Sequence, residues 1–190
     1  TTMFQMRTLS ALALTAVGVA AASVLPSAPF SQEEWGAPEP TKEHELLLKS
    51  VGEWEGTMKS TMPGMDPMEM PATETVTALG PFHTYTRFSA DFFGQPFEGM
   101  ATTSYDPKSK EVVNTWMDNG SMHTSIMRGT IDPKTGRSEL RWRAPMPGVG
   151  DDVAQRSVTE YSGDSYVMTF FMGEGDEQVE YMTLSMKRKK

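Results

Sequence analysis

The sequence predicts an all-β domain, an antiparallel up-and-down β-barrel of about ten strands with a short N-terminal helix capping one end. Three features predict it. Turn signals recur at intervals of roughly ten to fourteen residues, the spacing of hairpin-linked strands. Several segments between the turns alternate apolar and polar side chains with a period of two. No segment after Gly52 has helical periodicity. A two-sheet sandwich would give a similar pattern. Sequential strands with short turns and no second core segment favour a barrel, because closure removes the exposed edges.

The chain begins with an address. Arg7 supplies a positive charge, and Leu9 to Leu25 then runs without any charge and is rich in Ala and Gly. That run is shorter than the ~20 apolar residues a spanning helix takes. Small residues follow at Ala20-Ala21-Ala22 and again at Ser27-Ala28, so residues 1–28 read as a secretory signal peptide. The alternative is an uncleaved N-terminal anchor. Residues 29–41 are rich in proline and read as a linker, which leaves 42–190 as the barrel domain. The expected location is exported, periplasmic or secreted, with no stable membrane insertion after cleavage.

Within the domain, Thr41 is a plausible N-cap for a helix over Lys42 to Ser50, ended by Gly52. In the first strand Gly52, Trp54, Gly56, Met58, Ser60 and Met62 share a face, with Glu53, Glu55, Thr57, Lys59 and Thr61 opposite. A longer loop is expected from Met62-Pro63-Gly64 to Pro71. Turns follow at Gly80-Pro81, Gly94-Gln95-Pro96, Asp106-Pro107-Lys108-Ser109 and Asp132-Pro133-Lys134-Thr135-Gly136. Asn119-Gly120 is the strongest two-residue hairpin signal. Ser162-Gly163-Asp164 and Gly173 to Asp176 set off the last strands. There Tyr166, Met168, Phe170 and Met172 share one face, and Met182, Leu184 and Met186 oppose Tyr181, Thr183 and Ser185.

Charge and composition exclude several functions. The net charge of −8 becomes one unit more negative when Arg7 leaves with the leader. Such a field repels nucleic acid, and the one basic cluster, Lys187 to Lys190, sits at a chain end. There is no cysteine, so disulfides, thiol nucleophiles and thiolate metal sites are ruled out.

From Glu43 to Gly56 the chain reads Glu-His-Glu-Leu-Leu-Leu-Lys-Ser-Val-Gly-Glu-Trp-Glu-Gly, and Gly94-Gln95-Pro96-Phe97-Glu98-Gly99 follows before Tyr105-Asp106. With Thr73 to Val76 and Asn114-Thr115-Trp116-Met117-Asp118, these segments resemble the bacterial family called domain of unknown function 1579. The resemblance spans Thr41 to Lys190 and implies a lipocalin-like, calycin-type barrel, with no activity established. Gly52-x-Trp54 also resembles the lipocalin signature. That likeness implies that Trp54 plugs one barrel end and that Arg188, from the last strand, lies across it. Gly52, Trp54 and Arg188 would then close the barrel as structural residues.

Candidate chemistry is sparse. Gly163-Asp164-Ser165 lies in an expected hairpin, without the strand-to-helix elbow that activates a hydrolase serine. His44, His83 and His123 have no metal-ligand spacing, and no nucleophile is placed to partner any of them. Gly52-Glu53-Trp54-Glu55-Gly56 also resembles the opening of nitrobindin-type haem barrels, but no histidine follows His123 to serve as the late-strand ligand that likeness implies. The chain has 16 methionines, and Met62, Met65, Met68 and Met70 crowd one nine-residue segment. Thioethers suit Cu(I), yet methionine is also a flexible filler that would make an apolar lid over a barrel mouth. No cofactor is therefore expected, with haem and copper both weighed.

The expected functional surface is the barrel interior, with Met58, Phe88, Phe92, Trp116, Trp142, Tyr166 and Phe170 lining a pocket. Arg87, Arg128, Arg141 and Arg143 also lie on strands, and one of them pointing inward would anchor an acidic head group. The reading is a non-catalytic barrel that binds a small hydrophobic or amphipathic, lipid-like molecule. The alternatives are a Cu(I)-handling protein using the Met62–Met70 loop, or an envelope interaction scaffold with a filled barrel.

Overall fold

The computed structural model describes residues 38–190, Phe93 excepted, so the expected signal peptide and most of the linker lie outside the described residues. One helix, α1 (Lys42–Leu48), precedes ten strands. They are β1 (Gly52–Ser60), β2 (Met68–Leu79), β3 (His83–Phe92), β4 (Gln95–Asp106) and β5 (Glu111–Asp118). There follow β6 (Ser125–Ile131), β7 (Ser138–Met146), β8 (Gly150–Ser162), β9 (Ser165–Met172) and β10 (Val179–Arg188). Each strand pairs antiparallel with its sequence neighbour, and β1 pairs with β10 as well as β2, closing the barrel. This is the up-and-down barrel that the alternation predicts; the sandwich is not formed.

α1 is tied to the barrel by an uncommon cap. The Thr41 N–H donates to Nδ1 of His44 at 3.0 Å, so His44 takes the place that Glu or Gln holds in a capping box. With Nδ1 accepting, Nε2 carries the ring proton and donates to the Tyr105 carbonyl at 3.1 Å. The ring also meets Phe82 and Tyr105 edge-on. The buried His44 thus fastens the helix over one end of β3 and β4, while Leu46 packs on Val112 and Ile131. The helix stops at Leu48, before the expected Ser50, because Lys49 and Ser50 bond back three residues to Leu46 and Leu47.

The β4–β5 and β6–β7 turns at this end follow the sequence reading. Asp106 accepts from the Lys108 N–H at 2.8 Å and Asp132 from the Lys134 N–H at 2.7 Å. These backbone donors hold both carboxyls below their ordinary pKa. The opposite end is the mouth, framed by loops 61–67, 119–124 and 173–178 and by the shorter turns after β3 and β7.

Three expectations about the strands are corrected. Asn119-Gly120 does not form a two-residue turn, since β6 begins only at Ser125. Asn119 instead extends the β4 pairing. Its N–H donates to the Glu98 carbonyl, its Oδ1 accepts from the Glu98 N–H, and its Nδ2 donates to the Pro96 carbonyl. The loop expected to reach Pro71 ends at Pro67, because Met68 and Met70 already belong to β2, with Met70 opposite Met58. Tyr181 does not oppose Met182. The β9–β10 register shifts between Glu180 and Met182, and that irregularity turns Tyr181 into the core.

Candidate ligand-binding lumen

The helix-capped end is sealed. Trp54, on β1, is 1% exposed and donates from Nε1 to the Ser50 carbonyl at 2.8 Å. The Arg188 guanidinium lies 4.3 Å from the Trp54 ring centroid. It also donates to the Val51 and Lys49 carbonyls at 2.6 and 2.8 Å. Gly52 makes room for this arrangement. Its φ of +143° is unfavourable for other residues, and a Cβ there would come within 2.3 Å of Arg188 Nη1. Tyr166 stacks edge-on against Trp54 with centroids 5.0 Å apart.

Above this plug the inward side chains differ in burial. Met58, Phe88 and Tyr166 are buried in the main core, together with Met70, Leu184 and Met186. Phe92, Trp116, Trp142 and Phe170 also point inward by alternation, as do Met168 and Asn114, yet all six keep accessible surface. Two aromatic groups lie on this inner face. Phe88 meets Trp116 and Phe97 at 6.0 and 6.2 Å, and Phe170 meets Trp142 and Tyr181 at 6.3 and 6.2 Å.

Trp116 owes its place to Gly99. A Cβ on Gly99 would lie 2.2 Å from the indole, so only glycine lets the ring lie flat against β4. The indole Nε1 donates to Asp118 Oδ2 at 2.7 Å, which fixes the ring near the mouth. Gly99→Ala is expected to displace Trp116. The check is a shift in tryptophan emission against a Trp116→Phe reference.

At the mouth Met62 packs with Met146, Met172 and Tyr181. Met65 is 53% exposed, Met68 lies against the main core and Met70 is buried within it. The four methionines of this segment therefore occupy different surroundings. Among the described residues no group of three His, Cys, Asp or Glu side chains is arranged to hold a metal ion. His83 and His123 are exposed.

The structure settles the direction of the strand arginines. Arg87, Arg128, Arg141 and Arg143 are all exposed and face outward, because each occupies the polar phase of its strand. Three are engaged there: Arg128 with Glu111, Arg141 with Glu139, and Arg143 with Asp152 and Glu174. None faces the interior. Near the plug the inward charge is Glu74, which the sequence reading passed over. It stands in the buried phase of β2 between Ala72 and Val76, and it accepts a hydrogen bond from the Tyr166 hydroxyl. Burial raises its pKa, outweighing that hydrogen bond, which acts in the opposite sense. The Tyr166 hydroxyl is raised too, by burial first and then by Glu74. Among the described residues no ion pair reaches Glu74, although the Arg188 plug lies at the same end of the barrel. The signal was available in the sequence: a lone glutamate in phase with Met70, Ala72 and Val76.

A raised carboxyl pKa makes stability depend on pH. The folded protein keeps the Glu74 proton to higher pH than the unfolded chain does. Its contribution is complete below the ordinary glutamate range and is lost as pH rises through the raised value. Glu74→Gln keeps an acceptor for Tyr166 and removes the titration. The variant is expected to gain about 1–3 kcal/mol relative to wild type as pH rises from acid to mildly alkaline. Urea unfolding at a series of pH values measures this, and a constant difference across the series would contradict it.

Over residues 39–188 the chain matches the family described as "Protein of unknown function (DUF1579)". No curated protein matches it. Among solved structures it is similar to Rv2717c from M. tuberculosis, with a TM-score of 0.63 at 15% identity, over 80% of this chain and 100% of that one. It is also similar to the S-type phycobiliprotein lyase CPES from Guillardia theta, with a TM-score of 0.56 at 12% identity, over 80% of this chain and 99% of that one. At such identities the likeness is one of fold.

Proposed function

The chain belongs to the DUF1579 family of proteins of unknown function, and from that premise we propose that it is an exported, non-catalytic barrel holding one small apolar or amphipathic molecule in its lumen. One observation carries this reading: Trp116, Trp142, Met168 and Phe170 face inward yet keep accessible surface. Exposing apolar area is unfavourable by ~25 cal/mol per Å², so a lumen walled by aromatic rings and thioethers favours an apolar guest. Met62, packed at the mouth against Met146 and Met172, supplies an adaptable lid edge. Export rests on the uncharged Leu9–Leu25 run and the small residues after it. The barrel of similar fold named as a phycobiliprotein lyase is compatible with small-molecule binding and adds no ligand identity.

Native mass spectrometry of the protein purified from its own envelope tests the reading, followed by organic extraction. A reproducible mass excess that extracts as a small apolar molecule is the expected result. A clean apo mass that persists after incubation with envelope lipids would favour the filled-barrel scaffold. The combined Trp142→Ala and Phe170→Ala variant should weaken binding of the extracted molecule about tenfold or more while remaining folded. Unchanged binding would place the ligand elsewhere.

A further inference from the structure

We propose that the guest is a cationic amphipath, an apolar chain or ring system bearing an amine, and that the Glu74 carboxylate receives its ammonium group. The inference rests on the lumen being a ligand site and names the chemistry of the ligand's polar end.

Four observations lead to it. Glu74 points into the interior from the buried face of β2, opposite Trp54 on one side and Phe88 on the other. The Tyr166 hydroxyl is its one hydrogen-bond partner among the described side chains, and no cation is paired with it there. Burial without a counter-charge raises the pKa of that carboxyl, and a bound ammonium supplies the missing charge. Second, among the described residues no unengaged cationic side chain faces inward. Arg87, Arg128, Arg141 and Arg143 face outward, and Arg188 is committed to the Val51 and Lys49 carbonyls and to the Trp54 face. An acidic head group would find no cationic partner beside Glu74 among the described residues.

Third, a second inward carboxylate has the same sign. Asp118 faces the mouth beside Trp116, and its carboxylate is held there by the Trp116 and Gly120 N–H groups. The chain as a whole carries −8, a field that draws cations toward it. Fourth, Trp116 and Trp142 face inward and keep accessible surface, and aromatic rings attract ammonium groups while also packing against apolar chains.

The test compares octylamine, octanol and octanoate, three probes of one chain length that differ only in the head group. Binding to wild type and to Glu74→Gln is followed by titration calorimetry and by tryptophan emission near neutral pH. Wild type should bind octylamine about tenfold or more tighter than octanol, with octanoate weakest. Glu74→Gln should lose about tenfold for octylamine and change octanol by no more than about twofold. The wild-type ranking needs no variant, so it decides the question even if the substitution impairs folding. Octanoate binding as tightly as octylamine, or octylamine binding indifferent to Glu74→Gln, overturns the amine assignment while leaving the lumen as a ligand site. Failure of all three probes to bind, set beside a clean apo mass, overturns both readings together.

Discussion

Replacing Trp54 with alanine should lower the unfolding free energy by about 3–5 kcal/mol, the cost of emptying a well-packed aromatic site. Trp54 is among the largest fully buried side chains, at 1% exposure. It contacts both Tyr166 and Arg188 and satisfies the Ser50 carbonyl at the helix-to-strand junction. Its removal therefore opens a cavity at the sealed end, strips Arg188 of its ring face and leaves a polar oxygen without its donor. Urea unfolding with unchanged m measures the loss. Trp142→Ala is the informative contrast. Trp142 meets Phe170 edge-on and borders open space, so truncating it should cost well under half as much while altering ligand binding. If the two variants were equally destabilising, the distinction between a plug and a lumen wall would fail.

The same distinction explains which parts of the structure could be read from sequence. Strand β1 was legible because its apolar phase, Trp54 to Met58, must face inward for the polar phase to reach water. The Asp106 and Asp132 turns were legible because an aspartate followed by proline makes its own backbone hydrogen bonds locally. Asn119-Gly120 misled for the opposite reason. The asparagine found its partners on β4, more than twenty residues away in sequence, and a long-range contact of that kind overrides a local turn preference. Met68 and Met70 fell within the loop expected from Met62-Pro63-Gly64 to Pro71. β2 accommodates Pro71 opposite Thr57, and burial of Met70 against the core decides the strand's start.

The inward face was only partly legible. Alternation gives the inward phase of each strand, so Phe88, Trp116, Trp142, Tyr166 and Phe170 could be named from sequence. Whether an inward ring is sealed or borders space depends on what faces it across the barrel, and no single strand carries that information. Phe88 and Tyr166 are sealed, whereas Trp116 and Trp142 are not. The arginines drew attention because charge on a strand stands out. Applying the alternation to Arg141 and Arg143 on either side of Trp142 would have placed both outside. Applied to β2, it would have placed Glu74 inside. The polarity of the lumen was thus available in the pattern, but reading it takes the register of the whole barrel.

Arg188→Ala is expected to cost about 2–4 kcal/mol. The guanidinium makes two charge-assisted hydrogen bonds to main-chain carbonyls, a kind worth ~1.5–3 kcal/mol, and it adds a ring contact worth ~0.5–2 kcal/mol. Both carbonyls, of Lys49 and Val51, lie in the segment that carries the chain from α1 into β1, so losing Arg188 loosens the helix cap as well as the barrel end. Lysine at this position keeps the charge but not the planar fork. It cannot stack on Trp54 and reach both oxygens at once, so Arg188→Lys should recover less than half of the loss. The exposed pair with Asp164, 3.6 Å apart, contributes little by comparison, and Asp164→Asn should be near neutral. The cation–π contact is isolated by a double-mutant cycle with Trp54→Phe, which keeps an aromatic ring of weaker quadrupole. Coupling of about 0.5 kcal/mol or more between the two substitutions is expected. If the two costs simply add, Arg188 acts on the barrel end through the Lys49 and Val51 carbonyls alone.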